Sequence, residues 1–419
     1  MSPSLSFNRN WLKELGSSFT VLRSRVFATL FFSQAISMLG DAFTWLGLAL
    51  LSYQFGPERS SVIMATALTL RVTAFIIFSP LAGTLADRLS RKKILYITHF
   101  LRMAIVACFP FVTAEWQIYG LVFLLNVFNA FFTPTYQSVI PQVSPSGQYR
   151  QAIGLSTASF QLLGVLGPGL AGIFAVWFGP REIFYIDALT FIIAALLIVA
   201  LPAAAINRNG NHAQPALTGW QDVAKGIKLL FGQPLIRFGL FIELVTSIAG
   251  AHILVNSVGY VKSGLRLTDS HYGWVMGAFG IGASVAAFTA GSLDRTKTRR
   301  VSLIAGATLL ATAICFTNFV GYELMLILWV FAGLGQSFAE MPTETLIGET
   351  ISKNEQGKVY GSHFAFSHLW WAFAYPIAGF AGSHYKGYDF LIGGIVSLVL
   401  LAMVLVLSNR RDRTKLKKL

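Results

Sequence analysis

Six ionisable residues stand inside long apolar runs of this chain: Asp41, Arg71, Arg102, Glu243, Glu340 and Glu344. Placing such a group at mid-bilayer costs about 2.5–3.5 kcal/mol or more, so each needs an opposite charge, a watery cavity or a proton. Their chemistry is the movement of charge across a membrane. Asp41 and Arg71 lie at matching depth, each about 20 Å from the same membrane face at 1.5 Å per residue, on runs joined by a short loop. An ion pair between them is expected, either structural or opening when Asp41 takes a proton or the substrate. Glu340 and Glu344 are four apart and share one helix face. Two carboxylates about 6 Å apart repel and titrate as a unit. They suit proton coupling or attraction of a cationic substrate, or else are solvated acids at a cavity mouth. Glu243 is a further candidate for the same work, and Arg102 is expected to snorkel to the interface.

The elements that position these residues follow from composition. Of 419 residues only 50 are charged, 12%, and 35 are Phe, whereas a soluble domain carries roughly 25% charge. Mean hydropathy is +0.62. Too little charge remains to cover a water-facing surface, which excludes a soluble enzyme. The net charge of +14 falls in short clusters between apolar runs, as topogenic loops do, so no nucleic-acid partner is expected. Cys108 and Cys315 each sit in an apolar run, and the seven histidines are dispersed. No disulfide framework, metal site or cofactor is expected. Neither a nucleophile motif nor a phosphate-binding loop occurs in a plausible context, which argues against an intramembrane enzyme and a nucleotide-driven pump.

Apolar runs predict twelve spanning helices, at about 27–53, 60–84, 94–113, 117–140, 151–178 and 183–203, then 236–260, 270–292, 301–320, 324–348, 359–382 and 389–408. The loops and tails on the side of the N-terminus carry 24 Lys and Arg and those on the other side five, which places both termini in the cytoplasm. The expected organisation is a tail (1–26), a six-helix half (27–203), a central cytoplasmic loop (204–235), a second half (236–408) and a basic tail (409–419). In the first tail Phe7, Trp11, Leu12 and Leu15 fit either a surface helix or a disordered segment. Trp220, Val223, Ile227 and Leu230 recur at helical spacing and predict a short interfacial helix before the seventh span. The halves also echo each other at one offset of 208 residues. Gly83-Thr-Leu matches Gly291-Ser-Leu, Pro134 matches Pro342, and Pro168 matches Pro376. Two repeated six-helix halves mark a transporter whose site lies between them.

The stretch Gly83-Thr-Leu-Ala-Asp87-Arg88-Leu-Ser-Arg91-Lys92-Lys93 resembles the loop signature of the major facilitator superfamily. Further stretches look like its branch of enterobactin exporters and macrolide efflux proteins: Gly40-Asp41, Asn126 to Pro134, Gly167 to Gly172, and Asp187-Ala-Leu-Thr-Phe191. The resemblance implies an all-α fold of twelve transmembrane helices in two pseudo-repeat halves. It also implies alternating access, and a cavity lined by spans 1, 4, 7 and 10, hence by Asp41, Glu243, Glu340 and Glu344. Gly83, Asp87, Arg88, Arg91 and Lys92 would form a conformational latch, with Asp87 stabilised at the N-terminus of span 11. Gly164, Gly167, Pro168 and Gly172 would let span 5 rock against a neighbour. Asn126, Asn129, Phe128 and Phe132 on span 4, with Trp371 and Tyr375 on span 11, are candidates for an aromatic and amide cavity wall.

These readings lead to a proton-coupled exporter of amphipathic or cationic small molecules in the cell membrane, with lipid, substrate and protons as its partners and a monomer as its expected state. A siderophore exporter, a lysolipid flippase and a symporter on the same fold are the alternatives, and a channel fits less well.

Overall fold

The computed structural model describes residues 19–86, 89–145, 147–206, 220–293 and 299–416. The surface helix considered around Phe7 and Trp11 lies outside the described residues, as do Asp87 and Arg88. Among the described residues twelve long helices follow one another: α1 Arg25–Gln54, α2 Ser60–Ala86, α3 Arg91–Val106, α4 Glu115–Val143, α5 Tyr149–Phe178, α6 Ile183–Ala200, α7 Pro234–Gly259, α8 Asp269–Leu293, α9 Arg299–Thr317, α10 Tyr322–Thr350, α11 Lys353–His384 and α12 Asp389–Leu416. Nine described helical segments combine the length and apolar composition of a membrane span. A helix satisfies most of its backbone internally, as a spanning segment must.

Helix ends follow local chemistry. Ser24 and Ser90 cap α1 and α3 by accepting from the amides of Phe27 and Lys93, both at 3.4 Å. The Gln117 side chain accepts the amides of Thr113 and Ala114 at 2.7 and 3.0 Å, closing the start of α4. Gly179, at φ 104°, ends α5 in a conformation that disfavours a side chain. The matched prolines lie inside α4, α10, α5 and α11. Each deprives the carbonyl four residues earlier of its helical donor. At Pro342 that carbonyl belongs to Phe338, and Ser302 on α9 donates to it at 3.0 Å.

Helices α1–α6 pack as one half and α7–α12 as the other, and the halves meet chiefly where α5 lies on α8 and α2 on α11. The short helix Trp220–Gly232 packs on α11. Its Lys225 reaches Glu355 at 2.8 Å, and Leu230 joins a cluster with Leu240, Ile347 and Val359.

Candidate functional site

Between the halves lies a cavity of about 1150 Å³. Its wall runs from Phe31, Gln137 and Tyr149, near the end that carries the basic loops, to Leu46, Met64 and Tyr272 deeper in. The opposite end is shut by contacts between the halves. A Cβ on Gly172 of α5 would stand 2.7 Å from the Cα of Gly273 on α8, so the two backbones touch there. Tyr53 hydrogen-bonds Ser263 at 2.8 Å, and Lys386 pairs with Glu58 at 2.8 Å. The Lys386 ammonium holds the Glu58 carboxyl below the usual carboxylate range. The molecule is therefore open toward its basic end and closed at the far end.

Asp41 lines the cavity, but its partner is not the expected one. Arg102 Nη2 donates to both Asp41 oxygens, at 3.0 and 3.1 Å. Arg102 is 2% exposed and stacks on Phe191 and Phe132, its guanidinium carbon 4.1 and 5.2 Å from the ring centroids. It does not snorkel. Arg71 also lines the cavity, with its guanidinium carbon 4.5 Å above the Trp45 ring. Depth counting places both arginines in the hydrocarbon layer but not around the helix axes, and packing of α3 against α6 and α4 turns Arg102 toward α1.

Sequence reasoning passed over Asp187 as an intramembrane charge, although an acid in the run Ile183–Ala200 was signal enough. It is fully buried. Thr44 on α1 donates to its Oδ2, and Thr190 lies 3.0 Å from its Oδ1. A Cβ at Gly40 would overlap Asp187 and Thr190, so only glycine leaves room for them beside Asp41.

The second half holds the other acids. Glu344 lines the cavity. Glu243 is buried against His363, its Oε1 2.7 Å from Nε2, a partner on α11 that a reading along one helix cannot find. Glu340 accepts from Gln336 at 3.1 Å and from Thr246 at 3.5 Å. All four implied spans reach the cavity, through Asp41, Asn126, Leu254 and Glu344 among others, but not every acid on them faces it. Asp41 and Glu344 face the cavity, whereas Glu243 and Glu340 are absent from its described lining and sit where α7, α10 and α11 pack. Spans 2, 5 and 8 contribute as well, through Arg71, Pro168 and Met276 among others.

Of the proposed aromatic and amide wall, Asn126, Asn129 and Phe132 line the cavity. Phe128, Trp371 and Tyr375 do not appear in its described lining. Phe128 packs against the core, and Trp371 presses on Gly250, where a Cβ would stand 2.7 Å away. Tyr375 is buried with its ring 5.4 Å from that of Trp371. Gly164 and Pro168 line the cavity, and a Cβ at Gly167 would stand 2.5 Å from that of Ala42 on α1.

From the latch, Gly83 lies in α2 and Arg91 opens α3. Lys92 donates to the carbonyls of Val199 and Leu201 at 2.7 and 2.6 Å, a cation at the C-terminal end of α6. At the position matching Arg91, Arg299 holds Glu349 through two bonds of 2.7 and 2.9 Å.

Comparisons with known proteins agree with this architecture. The family model for the Major Facilitator Superfamily matches residues 30–257 and 240–419. Among curated relatives, the uncharacterized MFS-type transporter YfiS of Bacillus subtilis (strain 168) is 26% identical over 348 residues, covering 80% of this chain and 81% of the relative. The lysophospholipid transporter LplT of Yersinia pestis (strain Pestoides F) is 26% identical over 336 residues, 78% and 79% of the two chains. Among solved structures, a point mutant of the nucleoside transporter NupG superposes with a TM-score of 0.72 at 16% identity, covering 91% of this chain and 99% of that one. A bacterial homolog of the human lysosomal transporter Spinster gives 0.69 at 13% identity, with 94% and 98% covered. With the family model spanning both halves, the chain belongs to the Major Facilitator Superfamily and is a multi-pass membrane transporter.

Proposed function

We propose that this transporter is a proton-coupled exporter of cationic or amphipathic small molecules, working by alternating access in the cell membrane with both termini in the cytoplasm. One observation carries the reading: a cavity open toward the basic end has an acid at its wall from each half, Asp41 and Glu344, among aromatic and amide side chains. Such a wall suits a cation with an apolar body. The acids behind it, Glu243 with His363 and Glu340 with Gln336, supply further proton sites next to the path. Binding of cargo from the cytoplasm and entry of a proton from outside then compete for the same negative charges, which links the two flows.

A lysolipid cargo is the second reading, favoured by the relative named a lysophospholipid transporter and by Arg71 at the cavity wall, where a guanidinium can bind a phosphate. Purified protein in liposomes under an imposed pH gradient separates the two. Accumulation of cationic dyes or macrolides that collapses with the gradient supports export by antiport. Lysolipid movement indifferent to the gradient supports the second reading, and gradient-driven movement of siderophores would redirect the assignment to that cargo.

A further inference from the structure

Two acids, Asp41 and Asp187, lie around one buried arginine, Arg102. Asp41 comes from α1, Arg102 and His99 from α3 and Asp187 from α6, and Arg71 of α2 and Tyr136 of α4 line the same cavity as Asp41. Arg102 donates to both oxygens of Asp41. Its Nε, on a side chain that is 2% exposed, has no hydrogen-bond partner among the described residues. Phe191, whose ring lies 4.1 Å from the guanidinium carbon, is one turn along α6 from Asp187. The side-chain partners of Asp187 among the described residues are the hydroxyls of Thr44 and Thr190.

The surroundings of Asp187 are hydroxyls and not a cation. Thr190 lies 2.7 Å from the Asp187 carbonyl and 3.0 Å from Asp187 Oδ1 and can donate its one hydrogen to either. Thr44 donates to Oδ2. Among the described residues no cation lies within ion-pair distance of this carboxyl. Asp41, 28% exposed at the cavity wall, is balanced by Arg102, whereas a fully buried carboxyl without a cationic partner is neutral when it holds a proton.

We propose that Asp41, Arg102 and Asp187 form one proton-binding unit in which proton and guanidinium trade places. In one form, which has the Asp41–Arg102 pairing of the structure, Asp187 holds the proton. In the exchanged form the proton has left Asp187 for Asp41, and Arg102 has moved its hydrogen bonds to the Asp187 carboxylate. Both forms are neutral. Asp41 is at the cavity wall, so its proton can leave to the cavity, and the remaining negative charge is then balanced by a cationic group of the cargo. The inference deepens the proton-coupled reading and rests on it for the use of the exchange, not for its existence.

The test uses full-length protein in detergent, with thermal unfolding and infrared spectroscopy of buried protonated carboxyls. Asp41→Asn and Asp187→Asn should each stay folded, since either leaves one carboxylate for Arg102. The double variant should lose most of its folded protein, far beyond the sum of the single effects, because a buried cation is left alone. Adding Arg102→Met should restore it. One component of the infrared absorption of protonated carboxyls should vanish in Asp187→Asn, which removes the acid. It should vanish equally in Asp41→Asn, where Asp187 ionises to take Arg102. A double variant no worse than additive, an Asp41→Asn chain that cannot fold, failure of Arg102→Met to restore the double variant, or a band untouched by Asp187→Asn each overturns the proposal. None of these readouts needs transport. Loss of gradient coupling with the charge exchange intact would therefore count against the proton-coupled reading alone.

Discussion

Closure of the far end depends on Gly172, and adding one methyl group there should open it. In Gly172→Ala the new Cβ would stand 2.7 Å from Gly273 Cα, 3.2 Å from Gly273 N and 3.4 Å from the Asp269 carbonyl oxygen. All three are backbone atoms of the other half, so no side chain can turn aside. Overpacking of this kind costs about 1–3 kcal/mol, and the cost falls only on the state in which α5 touches α8. A bias of that size changes the ratio of the two states by about 5- to 150-fold. Spin labels at Pro57→Cys and Tyr388→Cys, with Cys108 and Cys315 replaced, report the separation of the halves at the far end. The variant should show a longer distance population and slower turnover. Gly154→Ala is the control, since a Cβ there meets nothing within 4 Å. An unchanged distance distribution with unchanged thermal stability would refute the reasoning, because the backbones would then not be in contact at that crossing.

Arg102→Ala should destabilise the protein by about 3–5 kcal/mol through a broken buried pair, and clearly more than Arg71→Ala, as read by thermal unfolding. His363→Phe leaves Glu243 without its partner and should cost about 1–3 kcal/mol, a loss that adding Glu243→Gln reduces. The Lys386 pair at the far end depends on pH through Glu58, whose carboxyl is held below its ordinary value. Its contribution to closure is complete above that ordinary value, about 4.3, and is lost as pH falls through the depressed one. The far-end distance should therefore hold steady from neutral pH down to about 5 and lengthen only in stronger acid.

The helices were legible because each is an apolar run of membrane length bounded by charge or glycine. The relation between halves was legible because Pro134 and Pro342, and Pro168 and Pro376, punctuate matching helices. Pairings across helices were not. Counting along a helix gives depth to within a turn and favours Arg71 for Asp41, because Arg102 counts as only about 12 Å deep. The choice between them rests on how α3 rolls against α6, which is set by packing of Phe191 and Phe132 around the guanidinium. His363 as the partner of Glu243 was hidden for the same reason. Asp187 was visible and needed only to be counted as a charge, with Gly40 as the sign that something from another helix fills the space beside Asp41.

Proton and cargo movement recorded together in one vesicle test the central claim most directly. Liposomes carrying the protein and a trapped pH-sensitive dye are given a cationic amphiphile on the side of the open cavity, with no pH gradient imposed. The account predicts that cargo crossing one way drives protons the other way, and that Asp41→Asn abolishes the proton signal. Cargo flux in the wild type with no accompanying pH change, or a proton signal undiminished in Asp41→Asn, would contradict it.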